Sequence, residues 1–493
     1  MLKSYFSDVV LASFFAGFAD KIYVFTRKCE EMRRFRELFI GDKKFYKMVL
    51  LVAIPIIVQN SITNLVVLLD NIMVGRVGTE QMSGVAIVNQ LIMVFNICIF
   101  GCVSAAGIFG AQFFGKGDHK GVQYAFRFKI LCGLFLAIAW IFVMYFFRNP
   151  LIHLFLHEGS GQAGDLETTY QYGSSYLKIM LIGLLPAAFT QVYAATLRET
   201  GETILPMKSG VAAVLTNLVL DYILIFGLGP IPSLGVEGAA IATVTARFLE
   251  AGIIISWTHR HREKNKFIVG AFKSMYIPGN LTLEIIKKGT PLLINETLWS
   301  LGTAMLNQCY STRGLAVVAG LNISSTVSNL FNVVFIALGS SIAIVVGQLL
   351  GAGKLEEAVD TDRKMIFFSV SSCFIIGMVM FLIAPLFPQI YNTSQDVRNL
   401  AVRFIRISSA CMPLYAFMHA SYFTLRSGGK TWITFLFDSV YIWVFNIPLA
   451  FVLTRFTGMY IVYVFLCCQL IEVFKCIIGF VLIKKRVWVN DLV

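Results

Sequence analysis

Charge is what this chain is short of. Only 14% of its 493 residues are Asp, Glu, Lys or Arg, against about a quarter in a soluble domain. So few charges cannot cover a water-facing surface of this length, which excludes an ordinary soluble enzyme. The 57% of hydrophobic residues excludes a disordered chain. The ten cysteines include no CxxC pair and no His/Cys spacing that reads as zinc, and most lie inside apolar runs; they read as packing residues rather than a disulfide scaffold or a metal site. HExxH and GxSxG are missing as well. Ser427-Gly428-Gly429-Lys430-Thr431 ends like a phosphate-binding loop, but that loop needs Gly at 424 and the residue is Thr. No cofactor and no nucleotide site are expected, and there is no convincing signal-peptide cleavage pattern.

What the chain has in quantity is apolar sequence. Twelve segments of about 20 residues, the length that crosses a bilayer, lie between Met48 and Ile483. The fold class expected is an all-α polytopic membrane protein. The net charge of +13 belongs to topology and not to nucleic acid: His259 to Gly289 holds seven Lys/Arg, whereas Arg148 to Gln171 holds one basic residue and three acids. That asymmetry is the positive-inside pattern. Lys43, Lys44 and Lys47 before the first span and Lys484, Lys485 and Arg486 after the last place both ends of the core in the cytoplasm. Val9 to Phe18 is apolar but closely flanked by Asp8, Asp20 and Lys21, and it reads as an interfacial segment.

The two halves resemble each other at fixed offsets. At an offset of 236, Pro55 matches Pro291, Asn71 matches Asn307, Gly84 matches Gly320 and Asn96 matches Asn332. The same offset pairs Gln112-x-x-Gly115-x-Gly117 with Gln348-x-x-Gly351-x-Gly353. Thr196-Leu197-Arg198-x-x-Gly201-x-Thr203 recurs as Thr424-Leu425-Arg426-x-x-Gly429-x-Thr431 at an offset of 228. Each repeat holds six helices, an even number, so the two six-helix bundles share one orientation and are related by a pseudo-two-fold axis along the membrane normal. The expected organisation is an N-terminal segment 1–46, a first lobe 47–258, a basic linker 259–289, a second lobe 290–485 and a tail 486–493. Two bundles on such an axis enclose a central cavity that rocking exposes to each side in turn.

Ionisable groups inside a span are expensive unless they face a cavity or a partner, so each one is a candidate site. In the first span Gln59, Thr63 and Asp70 share a stripe, with Asn60, Asn64 and Asn71 beside it. The fifth span carries Asn217 and Asp221 at i and i+4, on one face. Two carboxylates and a carboxamide can form an oxygen-rich site for Na⁺ or a cluster that accepts a proton, and Thr243 of the sixth span can add an oxygen. Across the repeat Asn217 is matched by Asn446, but Asp221 aligns with Ala450 and Asp70 with Leu306. The acids therefore belong to the first lobe alone. The second lobe has Glu296 with Trp299 as a cation–π surface, His419 as a lesser candidate, and Asn322, Ser325, Asn329 and Asn332 as a polar cavity wall. Glu250 beside Arg247 and Glu472 beside Lys475 read as repeated structural pairs. His153 and His157 have metal-compatible spacing without a third ligand, so the only metal expected is Na⁺.

Twelve spans, two repeats, Asp70 followed by Met73-Val74-Gly75-Arg76-Val77-Gly78, Gly110-Ala111-Gln112-x-x-Gly115-x-Gly117 and the paired Thr-Leu-Arg turns together resemble the multidrug and toxic compound extrusion (MATE) transporters. The likeness covers about Leu38 to Arg486 and looks closest to bacterial members, including the DNA-damage-inducible branch. The resemblance implies a monomeric antiporter of the bacterial inner membrane that expels organic, often cationic, compounds against Na⁺ or H⁺. It implies a coupling site at Asp70, Asn217, Asp221 and Thr243, a first-span bend at Pro55, and a second-lobe acid at Glu296, whose spacing from Pro291 is shorter than in some members. A lipid-linked oligosaccharide flippase of the same superfamily is the alternative, and it would need cationic cavity residues. A membrane enzyme ranks below it.

Overall fold

The computed structural model describes residue 33 and residues 36–153, 166–391 and 393–493; the run Val9–Phe18, His157 and the side chain of Asn71 lie outside what is described. The described chain is helical, as hydrocarbon requires: a backbone that cannot bond to water must bond to itself. In chain order the helices are α1 (Lys43–Gly75), α2 (Thr79–Lys116), α3 (His119–Phe146), α4 (Leu166–Ile182 continued by Leu184–Glu199), α5 (Ile204–Phe226), α6 (Gly235–Arg260), α7 (Gly279–Ser311), α8 (Leu315–Gly351), α9 (Leu355–Ile383), α10 (Gln395–Ser427), α11 (Thr431–Phe456) and α12 (Ile461–Lys484).

Ten of the described helices are long and apolar enough to cross a membrane by themselves, and α4 is an eleventh span bent by 47° at Gly183. The twelfth is α7. Its 33 residues reach about 50 Å at 1.5 Å per residue, but Asn295, Glu296, Thr297, Asn307 and Gln308 dilute its apolar character. Pro55 lies inside α1, which runs on through it as one helix. In α11 the residues Leu436–Val440 and Ile442–Asn446 widen into π-helix, a local form that often accompanies functional side chains.

The bundles meet along two equivalent seams. Val49 and Ala53 of α1 pack on Leu338, Ile342 and Val345 of α8, and the matching Ile285 of α7 packs with Leu292 on Ala105, Ala106 and Phe109 of α2. Between the seams α2 crosses α8. A Cβ on Gly115 would overlap the backbone carbonyl of Gln348, and one on Gly351 would overlap that of Gln112. Only hydrogen at both positions lets the two backbones approach this closely. Two residues on, Gly117 (φ 80°) and Gly353 (φ 72°) end the turn in the left-handed conformation.

Paired side chains fasten the crossing. Gln112 Nε2 donates to the carbonyl of Ser427 at 2.9 Å, and Gln348 Nε2 donates to the carbonyl of Glu199 at 2.8 Å. Each glutamine thus takes a last-turn carbonyl of the opposite bundle, a group that has no partner within its own helix. After Trp488, which is fully buried, the chain crosses to the first bundle, where Leu492 N donates to Gln112 Oε1 at 2.8 Å and Lys116 Nζ to the Val493 carbonyl at 2.6 Å. The basic linker is tied to α3 by Arg127, which donates to the carbonyls of Ala271, Tyr276 and Gly270 at 2.8, 3.0 and 3.1 Å.

All of these contacts lie in the half of the molecule nearest α1's start and α12's end. Farther along α2 and α8, Asn96, Asn322 and Asn329 are exposed, so the bundles part toward the opposite face. Gly115→Ala and Gly351→Ala are each expected to force the crossing open, with faster amide exchange at 111–117 and 347–353 by hydrogen–deuterium exchange mass spectrometry. Unaltered exchange in both would show that the crossing is not what holds this end shut.

Candidate functional site

In the first bundle α1, α5 and α6 bring the predicted coupling residues together. Asn217 Nδ2 reaches Thr243 Oγ1 at 3.4 Å. One turn along α5, Asp221 is 0% exposed and neither of its carboxylate oxygens has a hydrogen-bond partner; Asp70 Oδ1 on α1 is likewise buried and unpartnered. The two carboxylates lie within electrostatic reach of each other, and both reach Tyr176 of α4. Among the described residues no Lys or Arg pairs with either acid. Two neighbouring acids, Asp221 buried and Asp70 half-buried, with no base paired to them can attract a cation, because an uncompensated charge in a low-dielectric interior is strongly unfavourable. Oxygens from two carboxylates, a carboxamide and a hydroxyl suit a hard ion such as Na⁺, and either carboxylate can hold a proton instead.

Gln59 ties α1 to α4, whereas Thr63 bonds back onto α1 itself. Gln59 Oε1 accepts from Arg198 at 2.8 Å, and Thr63 Oγ1 donates to the Gln59 carbonyl at 2.9 Å. Asn64 is half-buried. On α2, Asn96 precedes Phe100, Ser104, Gly107 and Ala111 at helical spacing; on α8, Asn329 and Asn332 lead to Ser340 and Ala343. Those lower residues line a cavity of about 160 Å³ between the bundles, whose wall also includes Gln191, Arg198, Glu199, Phe423 and Arg426. The predicted asparagines stand on the same helical faces above it.

The second bundle holds a separate polar cluster. Glu296 of α7 accepts from Tyr422 Oη at 3.0 Å. Beside it Asn295 Nδ2 donates to Asp438 at 3.2 Å, and the Ser439 hydroxyl donates to the Asn295 carbonyl at 2.7 Å where α11 is π-helical. Lys475 pairs with Asp438 at 2.7 Å, whereas Glu472 accepts from Asn446 at 2.5 Å. Glu472 and Lys475 stay within electrostatic reach of each other, as expected, while the direct bonds of both go to α11. Trp299 is 42% exposed. The His419 ring bonds to the Tyr415 carbonyl at 3.1 Å and packs on Phe335 at 4.6 Å.

One buried charge pair escaped the sequence reading. Lys129 Nζ, 0% exposed, contacts both oxygens of Glu199 at 2.7 and 2.5 Å and Thr196 Oγ1 at 3.2 Å. Gly107 and Gly110 leave the room it needs, since a Cβ on either would meet the Glu199 carboxylate. Lys129 stands just before an apolar run and looks like a span-end charge. The informative signal is the repeat, in which Met365 and Ser427 occupy the matching positions. Lys129→Met is expected to cost about 3–5 kcal/mol by leaving Glu199 buried without its partner. Adding Glu199→Ser, which copies the second bundle, should recover most of that loss in detergent-solubilised unfolding; a double variant as unstable as the single one would refute the pairing argument.

Comparison with known proteins agrees with this architecture. The MatE family profile matches residues 55–223 and 291–452, one segment in each half. The "Probable multidrug resistance protein NorM" of Thermotoga maritima is 26% identical over 413 residues, covering 83% of this chain and 86% of the relative. The "Probable multidrug resistance protein YoeA" of Bacillus subtilis is 21% identical, covering 87% and 92%. Among solved structures, a multidrug resistance MATE family transporter of the MOP superfamily in an outward-facing conformation superposes with a TM-score of 0.80 at 19% identity, covering 92% of this chain and 97% of that one. With both halves matched and the twelve-helix frame reproduced, the chain belongs to the MatE family of membrane transporters.

Proposed function

We propose that this transporter exports organic, often cationic, compounds across a bacterial inner membrane in exchange for Na⁺ or H⁺, and that it works as a monomer with both ends of its core in the cytoplasm. The supporting observation is the pair Asp70 and Asp221, half-buried and buried respectively, within electrostatic reach of each other and, among the described residues, without a basic partner. The lobes are residues 47–258 and 290–485, and the fastened end is the cytoplasmic one. In this reading the state described has its cavity closed to the cytoplasm and open to the outside.

The cycle follows from charge. A substrate reaches the cavity from the cytoplasm or the inner leaflet while the α2–α8 crossing is open; the lobes then rock and the crossing closes. Na⁺ or H⁺ arriving from outside settles among Asp70, Asn217, Asp221 and Thr243. If ion and substrate each bind better when the other is absent, reciprocal linkage makes the ion's arrival weaken the substrate. Pro55 removes the helical bond to the Leu51 carbonyl, which accepts from the Thr203 hydroxyl at 2.9 Å instead, and this side-chain bond gives α1 a place to bend as the ion binds. Glu296 with Tyr422 supplies a second acidic contact for a cationic substrate, with Trp299 and His419 on neighbouring surfaces. Asn64, Asn96, Asn322, Asn329 and Asn332 line the outer cleft.

The test is ethidium efflux from proteoliposomes with Na⁺ and pH gradients imposed separately. One gradient should drive efflux by the wild-type protein, and Asp70→Asn and Asp221→Asn should each reduce it to the rate seen without a gradient. Undiminished gradient-driven efflux in both variants would sink the assignment.

A further inference from the structure

The coupling scheme leaves two arginines without a task, Arg426 buried and Arg198 half-buried. Arg198 and Arg426 occupy the same place in the repeated Thr-Leu-Arg turn, one from each bundle, and the pseudo-two-fold axis brings both to the wall of the inter-bundle cavity. Arg426 is 8% exposed. Among the described residues its guanidinium has no hydrogen-bond or ion-pair partner; it rests on the rings of Phe100, from the other bundle, at 5.5 Å and Phe423 at 5.6 Å. Arg198 gives one nitrogen to Gln59 Oε1 at 2.8 Å, and its Nε is buried with no partner.

Acids lie within electrostatic reach, Glu199 of both arginines, but among the described residues none bonds to either. Glu199 lines the cavity, but Lys129 engages both its oxygens. Glu296 bonds to Tyr422, and both it and Glu250 lie within electrostatic reach of Arg426 and Arg198 respectively without touching them. One Arg198 nitrogen thus reaches Gln59, its Nε meets no acceptor, and none of the Arg426 nitrogens bonds to an acceptor among the described residues. A guanidinium that faces a cavity without an acceptor is free to take an anion, and its planar fork matches a carboxylate in two-point geometry. The volume of about 160 Å³ is close to that of an apolar cavity that holds one benzene ring. Ring-sized space beside Phe100, Val103 and Ile344 suits the apolar body attached to such a group.

We propose that Arg198 and Arg426 form an anion subsite at the floor of the inter-bundle cavity, which seats the carboxylate end of an aromatic amphiphile. This rests on the transport reading, and it adds a selectivity that the acids of either bundle cannot supply. Compounds carrying both a cationic and an anionic group are then held at two points: the cation toward the acidic groups higher in the cleft, the carboxylate at the arginines.

The probes are a cationic rhodamine methyl ester and its free carboxylic acid, identical except for the carboxylate. Fluorescence anisotropy titrations with the purified full-length protein measure the affinity of each. In Arg426→Gln the ratio of acid affinity to ester affinity should fall about tenfold, the worth of a hydrogen bond to a charged group. Arg426→Lys, which keeps the charge and loses the fork, should recover part of it, and Arg198→Gln should lower the ratio in a second, independent background. A ratio within about twofold of the wild-type value in both glutamine variants overturns the subsite, including the case in which both dyes weaken alike. Gradient-driven efflux of the ester by the wild-type protein reports on transport alone, so its failure would count against the efflux reading while the affinity ratio still decides the subsite.

Discussion

The crossing of α2 over α8 is the constraint on which the rest of the molecule depends. Gly115 rests on the carbonyl of Gln348 and Gly351 on that of Gln112, a backbone-to-backbone approach that any side chain would block. The same two glutamines then take the final carbonyls of α4 and α10 from the opposite bundle. Because those carbonyls lie beyond the hydrogen-bonded body of their helices, the fastening can be released without unwinding a span. A seam made this way is tight when shut and cheap to open. It closes the cavity below and leaves the asparagine-lined faces of α2 and α8 apart above.

Upon this symmetric frame the chemistry is deliberately unequal. Glycines, glutamines and the Thr-Leu-Arg turns occur twice because both bundles need the same close approaches. Asp70, Asp221, Lys129 and Glu199 occur once, opposite Leu306, Ala450, Met365 and Ser427. Buried charge is costly wherever it sits, so duplicating it would burden both bundles. The second bundle spends its own polar groups otherwise, tying α7 to α11 through Asn295, Asp438, Ser439 and Lys475.

Much of this was legible in the residues. Span number and the repeat rest on helical periodicity and on matching residues between halves, which are local or one-dimensional properties; that Asp70, Asn217, Asp221 and Thr243 share a site was what the family resemblance implied. Sequence spacing placed Glu472 near Lys475 but could not show the direct ion pair: i, i+3 proximity is a weak interaction, and Asp438 on α11 takes the lysine once the helices pack. Lys129 was passed over because a lysine at the edge of an apolar run looks the same in sequence whether it snorkels to water or turns inward to an acid seventy residues away. The bend of α4 at Gly183 and the widening of α11 leave almost no trace in composition, since both respond to neighbours.

The sequence alone determined that the chain lives in a bilayer, that it consists of two equivalent six-helix halves, and which acids stand apart from the repeat. Hydrocarbon enforces those features through length and polarity, residue by residue. Tertiary structure alone decided which polar groups are satisfied and which are left wanting. Arg198 and Arg426 read as a pair of helix-end charges until the two bundles are set face to face; only then do they share one cavity while Glu199 is already committed to Lys129. Whether a buried charge is a structural pair or a site depends on what lies across from it, and that is fixed by packing between helices far apart in the chain.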